Sequence, residues 1–324
     1  MPRRIGVLCS GGDAPGMNAC VRAVVRAGHA AGFEVLGVKR GYAGLLDGDA
    51  EALSSRAVGG LLRHGGTEIM TARSAQFMTE AGQRQAIQRM QELGMEGLVV
   101  LGGNGSTRGA IALKDLGAHV VVIPATIDND MAATEMSLGV DTALNTIIDA
   151  VDKIKDTASS LQRGFVVEVM GRNCGYLALM AAIAGGAELV VLPEIPLEPD
   201  RITRELEDAL SRGKPHFIVI VAEGAKPTAA EVAEIIGQAG ADREYQARLT
   251  VLGHVQRGGI PSAFDRLLAS RMGAHAVELL ASGQHGRMVV WRQGRVASCT
   301  LEEALEAKRP DWHDLYALAD VLSS

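Results

Sequence analysis

Two aspartates stand two residues apart in Pro124-Ala125-Thr126-Ile127-Asp128-Asn129-Asp130, directly after the apolar run 119–123. A carboxylate so placed can accept a proton from a hydroxyl, and its neighbour can hold Mg²⁺, a hard cation that prefers oxygen and keeps several waters. Taken alone, the stretch reads more readily as an Asx-type turn with solvated aspartates. Two glycine-rich turns change that balance. Ser10-Gly11-Gly12-Asp13-Ala14-Pro15-Gly16-Met17-Asn18 follows the apolar run 5–9, and Leu101-Gly102-Gly103-Asn104-Gly105-Ser106 closes the run 97–101. Each opens a helical pattern. Glycine lets the backbone approach a ligand closely, and a helix start presents N–H groups to an anion. One such turn is matched by the plain alternative of a tight strand-to-helix connection. Two of them, with an acidic turn beside them, point to a polyphosphate ligand. Neither fits G-x-x-x-x-G-K-[ST] or G-x-G-x-x-G, which excludes a P-loop enzyme and a dinucleotide-binding oxidoreductase.

Phosphate chemistry also needs cations, where charge develops and where a phosphorylated substrate docks. Candidates near glycines or strand ends are Arg73, Arg163, Arg172, Arg248, His254 and Arg257. Any one of them, taken singly, is more often a solvated surface residue. Gly258-Gly259 beside Arg257 adds room for a ligand. Arg22 and Arg26, four apart on the first helix, share a face that taken alone reads as an ordinary solvated one; the alternative is a second anion site.

The elements that position these residues come from apolar periodicity. Short runs at 5–9, 34–38, 97–101, 119–123, 165–170, 189–192, 217–221 and 249–252 are too short for helices and mostly rich in β-branched residues, so they are predicted strands. The segment 142–155 carries Leu144, Ile147, Ile148, Val151 and Ile154 at helical spacing, and 265–280 reads the same way. Alternating strand and helix implies an α/β protein with open, mainly parallel sheets, more than one of them. Ligands then belong beyond the carboxyl ends of the strands, where the three turns lie.

Bulk properties agree. The 324 residues suffice for one large or two medium domains, and 47% hydrophobic with only 3% aromatic content fits a Val/Ile/Leu/Ala core. A net charge of −6 argues against nucleic-acid binding. Cys9, Cys20, Cys174 and Cys299 form no CxxC pair and suggest no zinc site. Their scatter fits a reducing cytosol. No apolar stretch is long enough for a membrane span, and the basic start has too short an apolar run for a signal peptide, so a cytoplasmic protein is expected.

Together the motifs resemble those of the bacterial 6-phosphofructokinases, nearly end to end. The Thr126–Asp130 run and Gly253-His254-Val255-Gln256-Arg257-Gly258-Gly259 are the most specific, supported by Gly11–Asn18, 167–172, 183–188 and 268–274. The resemblance implies two Rossmann-like doubly wound domains, an ATP-binding one of 1–138 plus 255–305 and a sugar-phosphate-binding one of 139–254 plus 306–324, with the active site between them. It implies phosphorylation of fructose 6-phosphate on the 1-hydroxyl by Mg-ATP, with Asp128 as base, Thr126 positioning the reacting groups and Arg172 stabilising the transferring phosphoryl. Gly12, Tyr42, Arg73, Ser74, Gly103, Asn104, Gly105 and Ser106 would line the ATP site. Arg163, Met170, Gly171, Glu223, Arg248, His254 and Arg257 would bind the sugar phosphate, with Arg163 and Arg248 reaching in from a neighbouring subunit of a homotetramer. Arg22, Arg26, Arg56, Lys155, Gly186, Glu188, Arg212 and Lys214 would bind a nucleoside diphosphate or phosphoenolpyruvate as effector. Mg²⁺ would rest on Asp130, with a weakened contribution from Asn104.

Departures from the family pattern qualify this. Family members usually carry Asp at the position of Asn104, many carry an aromatic residue at Ser74, and Lys155 and Arg212 exchange the usual basic types, which changes hydrogen-bond geometry. Pyrophosphate-dependent relatives typically have Asp in place of Gly105 and Lys in place of Ala125, so the small residues here favour ATP. The rival readings are that pyrophosphate-dependent enzyme and a catalytically silent regulatory subunit; retention of Thr126, Asp128, Asp130 and Arg172 weighs against the latter.

Overall fold

The computed structural model of the chain describes residues 3–243, 245–309 and 311–323. The chain begins β1 (Arg3–Cys9), α1 (Met17–Ala30), β2 (Phe33–Val38), α2 (Gly41–Asp47), β3 (Ala50–Ala52), α3 (Glu80–Glu92), β4 (Met95–Gly102), α4 (Asn104–Asp115), β5 (Val120–Pro124) and the long α5 (Val140–Leu161). It continues through β6 (Gly164–Val169), α6 (Tyr176–Gly185), β7 (Leu189–Val191), α7 (Pro199–Ser211), β8 (Phe217–Ala222), α8 (Ala229–Ala239) and β9 (Ala247–Val251). It ends with α9 (Ala263–Ala281), β10 (Arg287–Arg292), β11 (Arg295–Thr300), α10 (Leu301–Glu306) and α11 (His313–Ser323). The first compact unit takes the chain up to Thr142 and from Arg257 to Arg309; the second takes Ala143 to Gln256 and the chain beyond Arg309. The crossings thus follow Thr142, Gln256 and Arg309, beside the borders at 138, 254 and 305 expected from sequence.

The first unit is built on a seven-stranded sheet of order β11-β10-β5-β4-β1-β2-β3. From β10 to β2 the pairs are parallel, and β11 and β3 close the edges antiparallel. β10, β11 and β3 were not foreseen. Arg287 and Arg292 bracket the short apolar stretch 288–291, and β3 has only three residues. The β10–β11 hairpin turns at Gln293 and Gly294, both at positive φ (50° and 71°), the geometry of a two-residue type I′ turn.

Strand side chains alternate between two buried faces, as a helix-covered parallel sheet requires. Leu8, Leu98, Val100, Val120, Val122, Met288 and Val290 join one cluster with Tyr42, Leu113 and Leu301 from α2, α4 and α10. On the other face α9 meets the sheet where a Cβ on Gly97 would come within 3.0 Å of Leu280. α1 and α9 approach so closely that a Cβ on Gly273 would lie 2.8 Å from Ala23. The second unit has an all-parallel sheet of order β7-β8-β6-β9. Every residue of β8 is buried, whereas the edge strand β9 leaves Leu249 and Val251 exposed.

The first connection runs from β1 to β2 on one side, and the chain returns to β4 on the other. That reversal opens a crevice at the carboxyl ends of β1 and β4, the place where such sheets bind ligands. Among the described residues no helix is long and apolar enough to cross a membrane.

Candidate active site

The two glycine turns leave β1 and β4, which are neighbours in the sheet, and the acidic turn leaves β5 beside them. The glycine turns are zipped together: Ser10 N–H donates to Leu101 O at 2.8 Å and Ser106 Oγ donates to Ser10 O at 3.0 Å. Gly102 is demanded by that closure, because a Cβ there would stand 2.4 Å from Ser106 Oγ and 2.5 Å from Ser10 O. α4 begins immediately after, at Asn104, with Gly103 as an N-cap that supplies no side-chain acceptor. Its first N–H groups are therefore available to an anion. Gly105 sits in this first turn with nothing within 4 Å of an added Cβ. Packing does not require glycine there, and a glycine inside a helix costs about 1 kcal/mol relative to alanine.

The acidic turn is pinned from three sides. Ala125 N–H donates to Gly102 O (3.0 Å), Thr126 N–H to Leu138 O (3.2 Å), and Leu138 N–H to Pro124 O (3.0 Å). Thr126 Oγ1 then accepts from Asp128 N–H at 3.2 Å, fixing the backbone that carries Asp128. Asp128 is 2% exposed and Thr126 9%. Asn129 turns the chain through φ 48°, a conformation asparagine tolerates because its side chain can bond nearby backbone. It donates to Glu135 O and accepts from Ser137 N–H, closing the loop. Sequence reasoning did not assign Asn129 a role, although it lies inside the diagnostic run.

Asn104 Nδ2 donates to Asp130 Oδ2 at 3.0 Å, bridging the second glycine turn and the acidic turn. The amide leaves its own oxygen and the second carboxylate oxygen of Asp130 as acceptors. Among the described residues no three His, Cys, Asp or Glu side chains gather as a metal cage. One carboxylate with one amide oxygen suits a Mg²⁺ ion that arrives on phosphates, since that ion is usually held by one or two carboxylates plus its substrate.

The remaining nucleotide-site candidates are placed differently from one another. The Tyr42 ring is buried, stacked on Phe77 at 4.0 Å, and its hydroxyl donates to Ser106 O; it braces α4 from behind. Burial drives that phenol's pKa well up. Ser74 Oγ accepts from Phe77 N–H and so caps a short turn, while Arg73 is exposed. Thr71 Oγ1 donates to Gly11 O, holding the first glycine turn. Arg257, expected at the sugar phosphate, donates from Nη1 to Asp13 O, and a Cβ on Gly12 would meet Nη1 at 2.5 Å. Its guanidinium therefore lies on the first glycine turn.

In the second unit the turn after β6 is a tight reversal. Gly171 has φ 141° and Arg172 φ 53°. Arg172 N–H donates to Glu223 Oε1 at 2.7 Å, and a Cβ on Gly224 would strike Arg172 O at 1.9 Å. Met170 N–H donates to Oε1 of Gln256, a fully buried side chain missed from sequence although it too stands in a diagnostic run. Burial, then repulsion from Glu223, pushes the Glu168 carboxyl above the ordinary carboxylate range. Arg163 and Arg248 are not brought to this turn. Arg163 precedes β6 and Arg248 pairs with Phe165 at its start, which lies about 17 Å along the strand from Met170 at roughly 3.3 Å per residue. His254 is exposed in the segment after β9.

Of the expected effector residues, four in the second unit pair with one another: Lys155 Nζ donates to Gly186 O at 2.7 Å, and Lys214 reaches Glu188 at 3.5 Å. Arg212 is turned to Asp208. In the first unit Arg22 is half-buried while Arg26 and Arg56 are exposed.

The chain matches the family model described as Phosphofructokinase over residues 4–280. It is 48% identical over 322 residues to the ATP-dependent 6-phosphofructokinase of Natranaerobius thermophilus, covering 99% of both chains. It is 49% identical over 325 residues to ATP-dependent 6-phosphofructokinase 1 of Thermus thermophilus, again covering 99% of both. Among solved structures, phosphofructokinase from Saccharomyces cerevisiae superposes with TM-score 0.88 at 36% identity over 99% of this chain. The chain spans 48% of that yeast chain's length.

Proposed function

The chain belongs to the phosphofructokinase family, and from that premise we propose that it is an ATP-dependent 6-phosphofructokinase acting through Asp128. The supporting observation is the alignment of three turns on adjacent strands, with a nearly buried, backbone-pinned aspartate at the tip of β5. The enzyme transfers the γ-phosphoryl of ATP to the 1-hydroxyl of fructose 6-phosphate. Asp128 accepts the hydroxyl proton, the sugar oxygen forms a bond to the γ-phosphorus, and the bond to the β–γ bridging oxygen breaks, releasing ADP. The first N–H groups of α4 and the Gly12–Asp13 turn hold phosphate oxygens, and Arg172 is the cation for the transferring group. Asp130 and the Asn104 amide oxygen would hold Mg²⁺, which, when bound, supplies positive charge to the β- and γ-phosphates.

Two features support ATP over pyrophosphate as donor: Gly105 is open to a ligand, and Ala125 is small and buried. Arg163 and Arg248, remote from the Met170–Arg172 turn of their own chain, serve the sugar site of a neighbouring copy in a homotetramer. Exposed Leu249 and Val251 on β9 fit burial in such an assembly. Arg22, Arg26, Arg56, Lys155, Gly186, Glu188, Arg212 and Lys214 bind a phosphorylated effector, a nucleoside diphosphate or phosphoenolpyruvate. The enzyme works in the cytoplasm.

The test is turnover of the purified chain with ATP or pyrophosphate, with and without Mg²⁺, alongside Asp128→Ser. ATP-driven turnover is expected, and the variant should lose a factor of about 10²–10⁴ in kcat while binding fructose 6-phosphate nearly unchanged by calorimetry. Near-normal turnover of Asp128→Ser would refute the assignment.

A further inference from the structure

The turn that carries Asp128 is backed by Leu138, which exchanges two backbone hydrogen bonds with Pro124 and Thr126. The next residue, Gly139, has φ 100°, and the space a Cβ would need is filled by Ala14 at 2.8 Å and Pro15 at 3.0 Å, from the first glycine turn. Gly139 therefore lies where the acidic turn and that glycine turn meet. Its N–H donates to Asp265 Oδ1 at 2.9 Å. Asp265 Oδ2 accepts from Thr142 N–H at 2.9 Å and from Thr142 Oγ1 at 2.5 Å. Thr142 Oγ1 itself accepts from Ser262 N–H at 3.0 Å, so its single proton is the one given to Asp265.

Asp265 is completely buried. Burial pushes its carboxyl upward, and the donors from Thr142 and Gly139 oppose that push. A buried anion is not the most stable filling for such a space, because well-packed apolar residues are often as stable or more so. What the carboxylate adds is geometry: two oxygens fix two N–H groups of the segment 139–142 at once.

We propose that Asp265 is a positioning residue for phosphoryl transfer, holding Gly139 and Thr142 so that Leu138 keeps the Thr126–Asp128 turn in register against the first glycine turn. The chain of contacts runs from Asp265 through Gly139, Leu138 and Thr126 to Asp128, all within the first unit. The proposal rests on Asp128 as the base.

The experiment is steady-state kinetics of the full chain, comparing Asp265→Asn with its parent in both the wild-type and the Asp128→Ser backgrounds. In the wild-type background kcat should fall about 10–100-fold, the range for misplacing a reacting group by around 1 Å. KM for ATP and for fructose 6-phosphate should stay within a few-fold. In the Asp128→Ser background Asp265→Asn should cost at most about twofold more, because residues that act as a unit are not additive. A loss that multiplies through in that background, or one expressed in KM with kcat intact, would overturn the proposal. If Asp265→Asn does not fold, Thr142→Val and Thr142→Ser carry the same cycle. Val removes the hydroxyl donor and should reproduce the kcat loss, while Ser keeps the donor and should stay within about twofold of wild type; equal losses overturn the idea. Failure of the underlying reading is seen separately, as near-normal turnover of Asp128→Ser alone.

Discussion

Asn104→Asp introduces the carboxylate that the resemblance leads one to expect at this position and tests what the amide does here. Asn104 Nδ2 lies 3.0 Å from Asp130 Oδ2. Exchanging the amide for a carboxylate removes a hydrogen bond to a charged acceptor, worth about 1.5 kcal/mol at the lower end of its range. It also brings two negative charges within roughly 4 Å, where repulsion is about 4 kcal/mol at an effective dielectric of about 20. Both side chains are half-exposed, so solvent screening brings that repulsion to about 1 kcal/mol. The variant should therefore lose about 2.5 kcal/mol with EDTA, or about 5–10 °C in melting temperature for a unit of this size. With Mg²⁺ the two carboxylates share a divalent ion and the sign reverses. Melting temperature should then recover, and the Mg²⁺ concentration for half-maximal turnover should fall about tenfold, equivalent to about 1.4 kcal/mol. The measurement is a thermal melt with EDTA and with Mg²⁺, beside a Mg²⁺ titration of turnover. Identical melting of variant and parent in both conditions, with an unchanged Mg²⁺ titration, would refute the reasoning.

Gly105→Asp meets no protein atom within 4 Å of the new Cβ, so its melting temperature should change little while ATP-driven turnover falls at least about tenfold; turnover near the parent's would show that the open space is not a phosphate site. The Glu168 carboxyl is raised by burial and by Glu223, so the folded chain holds that proton more tightly than the unfolded chain does. Its contribution to stability grows as pH falls through the window between the ordinary and the raised value and is lost as pH rises, and Glu168→Gln should flatten that part of a pH–stability curve measured by urea unfolding. Cys9, Cys20, Cys174 and Cys299 are all buried, and burial pushes the Cys9 thiol to about 12. Ellman's reagent at pH 8 should find none of the four before denaturant is added; rapid reaction of the native chain would contradict the packing around whichever thiol reacted.

Most of the parallel core was legible because its strands are short β-branched runs buried on both faces, and the three candidate turns follow them without interruption. The edges were not. β10 reads as a charged segment because Arg287 and Arg292 flank its apolar centre, and only the Gln293-Gly294 turn marks the hairpin. Asp128, Thr126 and the glycine turns stood out as candidates because chemistry at strand tips uses few residue types. The contacts made one layer behind left no comparable mark, even where the residue itself had been singled out. Tyr42 supports α4 through its hydroxyl, Asn129 and Gln256 hold backbone groups, and Arg257 sits on the Gly12–Asp13 turn, a contact no spacing discloses.

Asp265 shows why such supporting residues escape a sequence reading. Ser262-x-x-Asp265 opens α9 with the spacing of a capping box, in which the fourth residue's side chain returns to the backbone N–H of the first. Thr228 with Glu231 at α8, and Thr300 with Glu303 at α10, close that box locally. At α9 only half of it forms: Ser262 Oγ accepts from Asp265 N–H, but Ser262 N–H goes to Thr142 Oγ1. The Asp265 carboxylate is spent on the start of α5 instead. Aspartate is one methylene shorter than glutamate, so it reaches back across its own first turn less readily and is open to a partner packed against the helix end. The two helices thus exchange caps, each satisfying N–H groups the other leaves unpaired at its start. Local pattern matching sees an ordinary helix start at both places; only the packed fold reveals that the spare acceptor has been lent to the segment behind Asp128.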